Sequence, residues 1–268
     1  MSFQPVIPLG GYAGWRFLER TLENQKTAFT ESASVTRATD YFRERIGQVS
    51  NAEELVNDRQ LLTVALGAFG LDEDIDNSFF IRKILEEGTI ANDALANRLA
   101  DTRYADFSKA FGFGDRVIPR TSLSQFPSEI IERYEVRQFE RAVGQQDNNL
   151  RLALNVETAV GDIVDRTSST NAQWFSIMGN PPLRQVFETA FGLPSSIGSI
   201  DLDRQLELFR DRSEALLGTD DVGELMQENL LEKLIRLFLV RSDAASIGFA
   251  SGGATALTLL NSAARFRG

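Results

Sequence analysis

The chain has 268 residues and contains neither cysteine nor histidine. Without cysteine there is no disulfide, no thiolate nucleophile and no thiolate metal ligand. Without histidine the Ser-His-Asp and Cys-His relays and the usual zinc sites are excluded as well. Any catalysis would fall to carboxylates, lysine, tyrosine and hydroxyls. A chain with no cysteine is compatible with either redox compartment. No run of about 18 apolar residues occurs, so no membrane span is expected. The opening stretch, Met1 to Gly11, has no basic start and its apolar residues are broken by prolines, so it does not read as a secretory signal. Positive charge is in deficit, with 28 Lys and Arg against 38 Asp and Glu for a net charge of −10. That balance argues against a general nucleic-acid binder, which should carry a basic footprint. No segment alternates convincingly with period two, so strands are not expected.

What the chain does have is a repeat. Leu61-Leu-Thr-Val-Ala-Leu-Gly-Ala-Phe-Gly-Leu71 returns 122 residues later as Leu183-Arg-Gln-Val-Phe-Glu-Thr-Ala-Phe-Gly-Leu193. Fixed-period self-similarity is the first thing to seek, because it bounds the architecture. Apolar residues at 61, 64, 65, 68 and 69 follow one helix face. Gly70 then stands where a helix takes its left-handed C-terminal residue, and Gly192 stands there in the second copy. The structural repeat is therefore Phe69–Gly70 and Phe191–Gly192, with a looser copy at Phe111–Gly112 and a weaker one ending at Gly144. The register is expected to continue past the glycine, with Phe80, Arg82 and Ile84 opposite Leu202, Arg204 and Leu206. The reading is all-α, with two related multi-helix units arising from an apparent internal duplication.

Four segments follow: an extended lead-in over 1–14, a first helical unit over 15–145, a second over 146–245, and a small-residue apolar tail over 246–268. Helices are expected near 15–29, 34–46, 52–69, 77–87, 91–99, 102–111, 129–143, 150–164, 201–217 and 222–241, with another opening at Pro181-Pro182. Ser50-Asn51-Ala52-Glu53 reads as a capping box, echoed by Thr170-Asn171-Ala172-Gln173. Residues 112–126 and 166–171 read as loops. The helix from Val222 to Arg241 is nearly saturated with leucine. Burial is its first reading and a partner-binding face its second, with Leu234, Phe238, Phe249, Leu257 and Leu260 as the candidates for that face.

The chemical candidates are weaker. Asp72-Glu-Asp74-Ile-Asp76 supplies the first ligand positions of a calcium loop, but Asn77 replaces the glycine and Lys83 the bidentate glutamate. Gly10-Gly-Tyr-Ala-Gly14 lacks the preceding strand and the Gly-Lys-Ser/Thr of a phosphate loop. Glu86-Glu87 and Asp220-Asp221 could each serve as a carboxylate pair for glycoside hydrolysis. Trp15 and Trp174 read as core or interface anchors. No catalytic residue, cofactor or metal is expected.

Several stretches taken together resemble a known family. They are Trp15-Arg-Phe-Leu-Glu-Arg-Thr21, Thr39-Asp-Tyr-Phe-Arg-Glu-Arg-Ile46, Asp58 to Leu71, Phe79-Phe-Ile-Arg-Lys-Ile-Leu-Glu-Glu-Gly88 and Asp93 to Asp101. The chain is similar to an alphaproteobacterial family of a domain of unknown function, DUF1217, whose genes are commonly found among flagellar genes. The resemblance is strongest over residues 12–114, and it carries no catalytic or ligand residues across. It implies a non-enzymatic interaction protein associated with the flagellum, whose partner is a flagellar component. The expected location is cytoplasmic, with export through the flagellar apparatus as the alternative. Two other readings stay open: a carboxylate-dependent hydrolase acting on cell wall, and a helical module binding a small molecule or lipid.

Overall fold

How the helices stop determines how they pack. In the computed structural model, residues 3–265 are described, with side chains over residues 3–246. Helix α4, Arg59–Gly67, leads into a stop at Gly70, whose φ is 67°. There the Leu71 amide donates to the Leu66 carbonyl at 3.0 Å and the Gly70 amide to the Gly67 carbonyl at 3.3 Å. This is a Schellman closure, and only glycine takes that φ without strain. Helix α11, Pro181–Phe191, ends the same way: Leu193 donates to Glu188 at 2.9 Å and Gly192 to Thr189 at 3.1 Å. Both stops are also capped by a distant arginine. Arg103 Nη1 donates to the Gly70 carbonyl at 2.5 Å, and Arg241 Nη1 to the Ala190 carbonyl at 2.6 Å. A cation at a helix C-terminus also offsets the negative end of the helix dipole.

The remaining helices are α1 Gly11–Thr30, α2 Ala33–Arg45, α3 Ala52–Asn57, α5 Ser78–Glu87, α6 Leu95–Arg98, α7 Arg103–Phe111, α8 Phe126–Gly144, α9 Asn148–Arg166, α10 Thr170–Met178, α12 Leu202–Leu217 and α13 Glu228–Arg265. Short 3-10 turns link several of them, and no strand occurs among the described residues. The all-α reading holds. Helices α8 and α9 form a long hairpin at the middle. On one side α1, α2 and α4 lie against α8; on the other α11 and α13 lie against α9, and α1 reaches α13. Buried residues of both expected units, from Leu18 and Phe42 to Phe209 and Phe238, belong to one contiguous apolar core.

Aromatic side chains fill the two ends of that core. Phe69, Phe107, Phe111 and Phe126 form a chain of ring contacts with centroids 5.1–5.5 Å apart. Trp174, Phe187, Phe191 and Phe209 form a second cluster, in which the Trp174–Phe187 pair meets edge to face at 5.6 Å. The phenylalanine before each helix-stopping glycine is thus a core ring. Trp174 is fully buried and its indole donates to the Asp220 carbonyl at 2.8 Å.

Several expectations need correction. The helix expected over 52–69 breaks at Asp58, which caps α4 by accepting from the Gln60 and Leu61 amides and is itself held by the Tyr41 hydroxyl at 2.7 Å. The capping box sits one residue later than read. Asn51 accepts from the Glu54 amide, and the Glu54 carboxylate accepts from the Ser50 amide and hydroxyl. The echo at Thr170 makes no such box; Gln173 donates instead to the Thr167 carbonyl.

The register past the glycine holds only in part. Helix α5 starts at Ser78, whose counterpart at the 122-residue spacing is Ile200, yet α12 starts two residues later at Leu202. Ile84 and Leu206 are both buried as expected, but Ile81 and Leu85, buried in α5, fall opposite the exposed Asp203 and Glu207. Leu202 itself is 53% exposed. Gly144 makes no left-handed stop: it is the last helical residue of α8, and Gln145 beyond it is still right-handed. Leu234 and Phe238 are corrected as partner contacts, since both lie in the core, where α13 packs on α11. The side chains of Phe249, Leu257 and Leu260 lie outside the described residues.

These stops predict a sign difference among glycines. Gly70→Ala and Gly192→Ala force a Cβ onto a positive φ and should each cost about 1 kcal/mol or more. Gly161→Ala, inside α9 with only ordinary contact to Met226, should instead gain about 0.5–1 kcal/mol from helix propensity. Urea unfolding of the three variants checks this ordering.

Candidate functional site

The polar side chains that the fold brings together line an open cleft of about 620 Å³ at the seam between the two halves. One wall is the stop of α4, with Phe69, Gly70 and Asp72. The others are Arg103 and Tyr104 of α7, a face of α8, a face of α9, and the start of α11 at Asn180. On α8 the face is Arg137, Glu140, Arg141 and Gly144; on α9 it is Asn148, Arg151 and Asn155. Both sets follow the three- and four-residue spacing of a single helix face. Loop closure across the seam is tight, with the Thr102 amide donating to the Gly179 carbonyl at 2.8 Å and Arg166 of α9 pairing with Asp106 of α7.

Glu140 is the electrostatic centre. It is 5% exposed, and its Oε2 accepts from Arg137 Nη1 at 3.0 Å and Asn155 Nδ2 at 3.1 Å. Its Oε1 is buried with no hydrogen-bond partner among the described residues. Burial pushes the Glu140 carboxyl above the ordinary range, against the opposing pull of Arg137 and Arg151. Arg151 is half-buried, and burial lowers its guanidinium; Glu140 opposes that, while Arg103 and Arg137 add to it. The Tyr104 hydroxyl donates to Asp74 at 2.7 Å, and burial followed by that bond raises its pKa.

The other acids of the cleft are already engaged. Asp72 accepts from Gln138 at 2.8 Å and Arg141 at 2.7 Å, and Asp74 from Asn77 and Tyr104. Asp76 pairs with Arg59, so the residues of the calcium-like loop point to separate partners. Among the described residues no group of three or more acids is arranged to hold a metal ion. The two expected carboxylate pairs lie elsewhere and serve local structure. Glu86 pairs with Arg82, and Glu87 pairs with Lys83 and accepts from the Leu95 amide. Asp220 pairs with Arg210, and Asp221 accepts from the Gly223 amide.

Of the residues singled out by sequence, Phe69, Gly70, Asp72, Asp74 and Gly144 line the cleft, while Phe111, Gly112, Phe191 and Gly192 do not. Sequence reading passed over Arg103, Arg137, Glu140, Arg151 and Asn155. The usable signal was the charged face of α8 at helical spacing, interleaved with the buried Phe139 and Val143.

A second feature lies away from the cleft. Asp115 accepts from the Thr89 amide at 2.5 Å, the Thr89 hydroxyl at 2.8 Å and the Ile90 amide at 3.2 Å. Gly114 lies so close that a Cβ there would be 2.4 Å from the Gly88 nitrogen. The two loops knitted this way expose apolar side chains: Ile90 is 76% exposed, Val117 fully so and Ile118 70%. Large apolar side chains exposed on two joined loops are candidates for an interaction surface.

A family model described as a protein of unknown function (DUF1217) matches residues 68–226. Among solved structures, the crystal structure of protein AGR_C_984 from Agrobacterium tumefaciens is similar at 26% identity. That match covers 90% of this chain and 98% of the other, with a TM-score of 0.71. No curated protein matches the chain. No helix among the described residues is long and apolar enough to cross a membrane.

The buried carboxyl gives a pH prediction. The folded Glu140 holds its proton more tightly than the unfolded chain, whose glutamates titrate near about 4.3. Stability should therefore fall as pH rises from that value through the raised folded one, and Asp106, Glu135 and Asp243, also raised by burial, act in the same direction. Glu140→Gln removes one component, so its urea midpoint should fall less steeply between about pH 4 and pH 7. An unchanged slope would mean that Arg137 and Arg151 keep Glu140 ionised throughout.

Proposed function

The chain belongs to the DUF1217 family of proteins of unknown function, and on that premise we propose that it is a helical interaction protein serving the bacterial flagellum without turnover. The observation that supports binding over catalysis is the exposure of Ile90, Val117 and Ile118 on two loops that Asp115 joins through Thr89 and Ile90. Asp115 ties the Thr89–Ile90 backbone to its own loop, which limits the entropy that segment loses on association. The carboxylate pairs expected of a hydrolase are meanwhile engaged in ion pairs and hydrogen bonds to backbone amides. The flagellar part of the proposal rests on the resemblance and its gene context. The partner is a flagellar component, met in the cytoplasm or after export through the flagellar apparatus. We further read the matching Schellman stops at Gly70 and Gly192 as traces of one duplicated unit, whose second copy has since lengthened its link to the next helix by two residues.

Affinity capture from motile cells tests this proposal. Flagellar components should co-purify with the full chain and be lost, or fall about tenfold, with a Val117→Asp/Ile118→Asp variant whose circular dichroism is unchanged. Retention by both forms would remove the patch from the proposal. Capture of no flagellar component by the full chain would overturn the proposal itself.

A further inference from the structure

Arg151 is placed where its surroundings disfavour a cation. It lies in the first turn of α9, at the positive end of a 19-residue helix, and is half-buried. Arg103 and Arg137 stand close enough to repel it. Yet it makes no ion pair among the described residues: its Nε donates to Asn148 Oδ1 at 2.9 Å, and neither Nη has a hydrogen-bond partner there. Glu140 is the nearby counter-charge, and its bonded oxygen is already taken by Arg137 and Asn155. One buried carboxylate therefore answers two guanidiniums, while Asp101, Asp72 and Asp74 are committed to Arg103, Arg141 and Tyr104. Glu73 is the remaining acid of the cleft and stands at its rim.

The guanidinium is also held in position. Gly144 of α8 has no side chain, and the stem of Arg151 lies across it so closely that a Cβ would sit 2.5 Å from Arg151 Cδ. That contact gives Gly144 a purpose other than the helix stop expected from sequence. With the stem on Gly144 and Nε on Asn148, the two Nη groups form a fixed pair of donors in a polar cleft. Amides of Gln145, Asn148 and Gln185 lie in the same lining.

We infer that this cleft is an oxyanion site, in which the Nη groups of Arg151 take a carboxylate or phosphate in a two-bond fork beside Arg137 and Arg103. A planar guanidinium with two free parallel donors matches those groups, and Lys would not replace it. The site is independent of the flagellar reading, because it concerns ligand chemistry and not the identity of a protein partner.

Calorimetric titration of the full chain with sodium phosphate, sodium citrate and a tetraglutamate peptide, at ionic strength matched with sodium chloride, is the test. At least one probe should bind saturably, and Arg151→Gln should weaken it about tenfold or more. Gly144→Ala supplies the second variant: it keeps every charge and favours the helix, yet it displaces the Arg151 stem and should also weaken binding. Arg204→Gln, on the exposed face of α12, should bind as the unmodified chain does. Tightest binding of phosphate or citrate points to a free small anion, and tightest binding of tetraglutamate to an acidic segment of a partner protein. No saturable binding by any probe, or equal binding by Arg151→Gln and Gly144→Ala to that of the unmodified chain, overturns the site.

Discussion

The apolar seam between α8 and α9 is the interaction on which the rest of the molecule depends. Two helices of 19 residues each, about 28 Å long at 1.5 Å per residue, are joined by a turn of three residues. Asp147 ends that turn by capping α9, accepting from the Asn149 and Leu150 amides. Phe139 and Val143 on one helix, with Leu150, Val156 and Val160 on the other, place the hairpin in the common core. The Phe139 ring meets Phe29 of α1 edge to face at 5.7 Å. Both halves of the chain close onto this pair of helices and share one contiguous apolar core.

The same hairpin explains why the molecule has a polar cleft at all. Buried ion pairs add little net stability, because desolvation offsets most of the attraction, but an unpaired buried charge is strongly destabilising. Glu140 and Arg137 can therefore be tolerated at the seam only as a pair, and Asn155 completes that arrangement. Arg151 is not explained so simply. It adds a cation where the surroundings disfavour one, and packing alone gives no reason for it. Structural demands explain Arg103 and Arg241, which close the stops of α4 and α11; they leave Arg151 over.

Much of the fold was legible because it obeys local rules. Apolar spacing revealed the helices, and a glycine after a phenylalanine marked two Schellman stops and the left-handed end of α7 at Gly112. What failed did so where a distant contact outweighed a local pattern. Asp58 reads as one polar residue within a helix until the Tyr41 hydroxyl fixes it as a cap. Gly144 reads as another stop until Arg151 arrives from the next helix. Leu234 and Phe238 could have faced a partner or a core, and leucine content alone could not decide between them. The cleft was the least legible part, since its residues come from several helices and only α8 displays a charged face in sequence. Val117 and Ile118 lay in the stretch over 112–126 read as a loop, but their apolar character was not used.

The seam makes one body of both halves, so the cleft exists as a preformed site. Differential scanning calorimetry of the full chain tests it directly. A single transition is predicted, in which the calorimetric and van't Hoff enthalpies agree, as expected when one core unfolds as a unit. Two resolved transitions, or a van't Hoff enthalpy well below the calorimetric one, would mean that the halves unfold separately. The cleft would then be a contact between neighbours and not a built site.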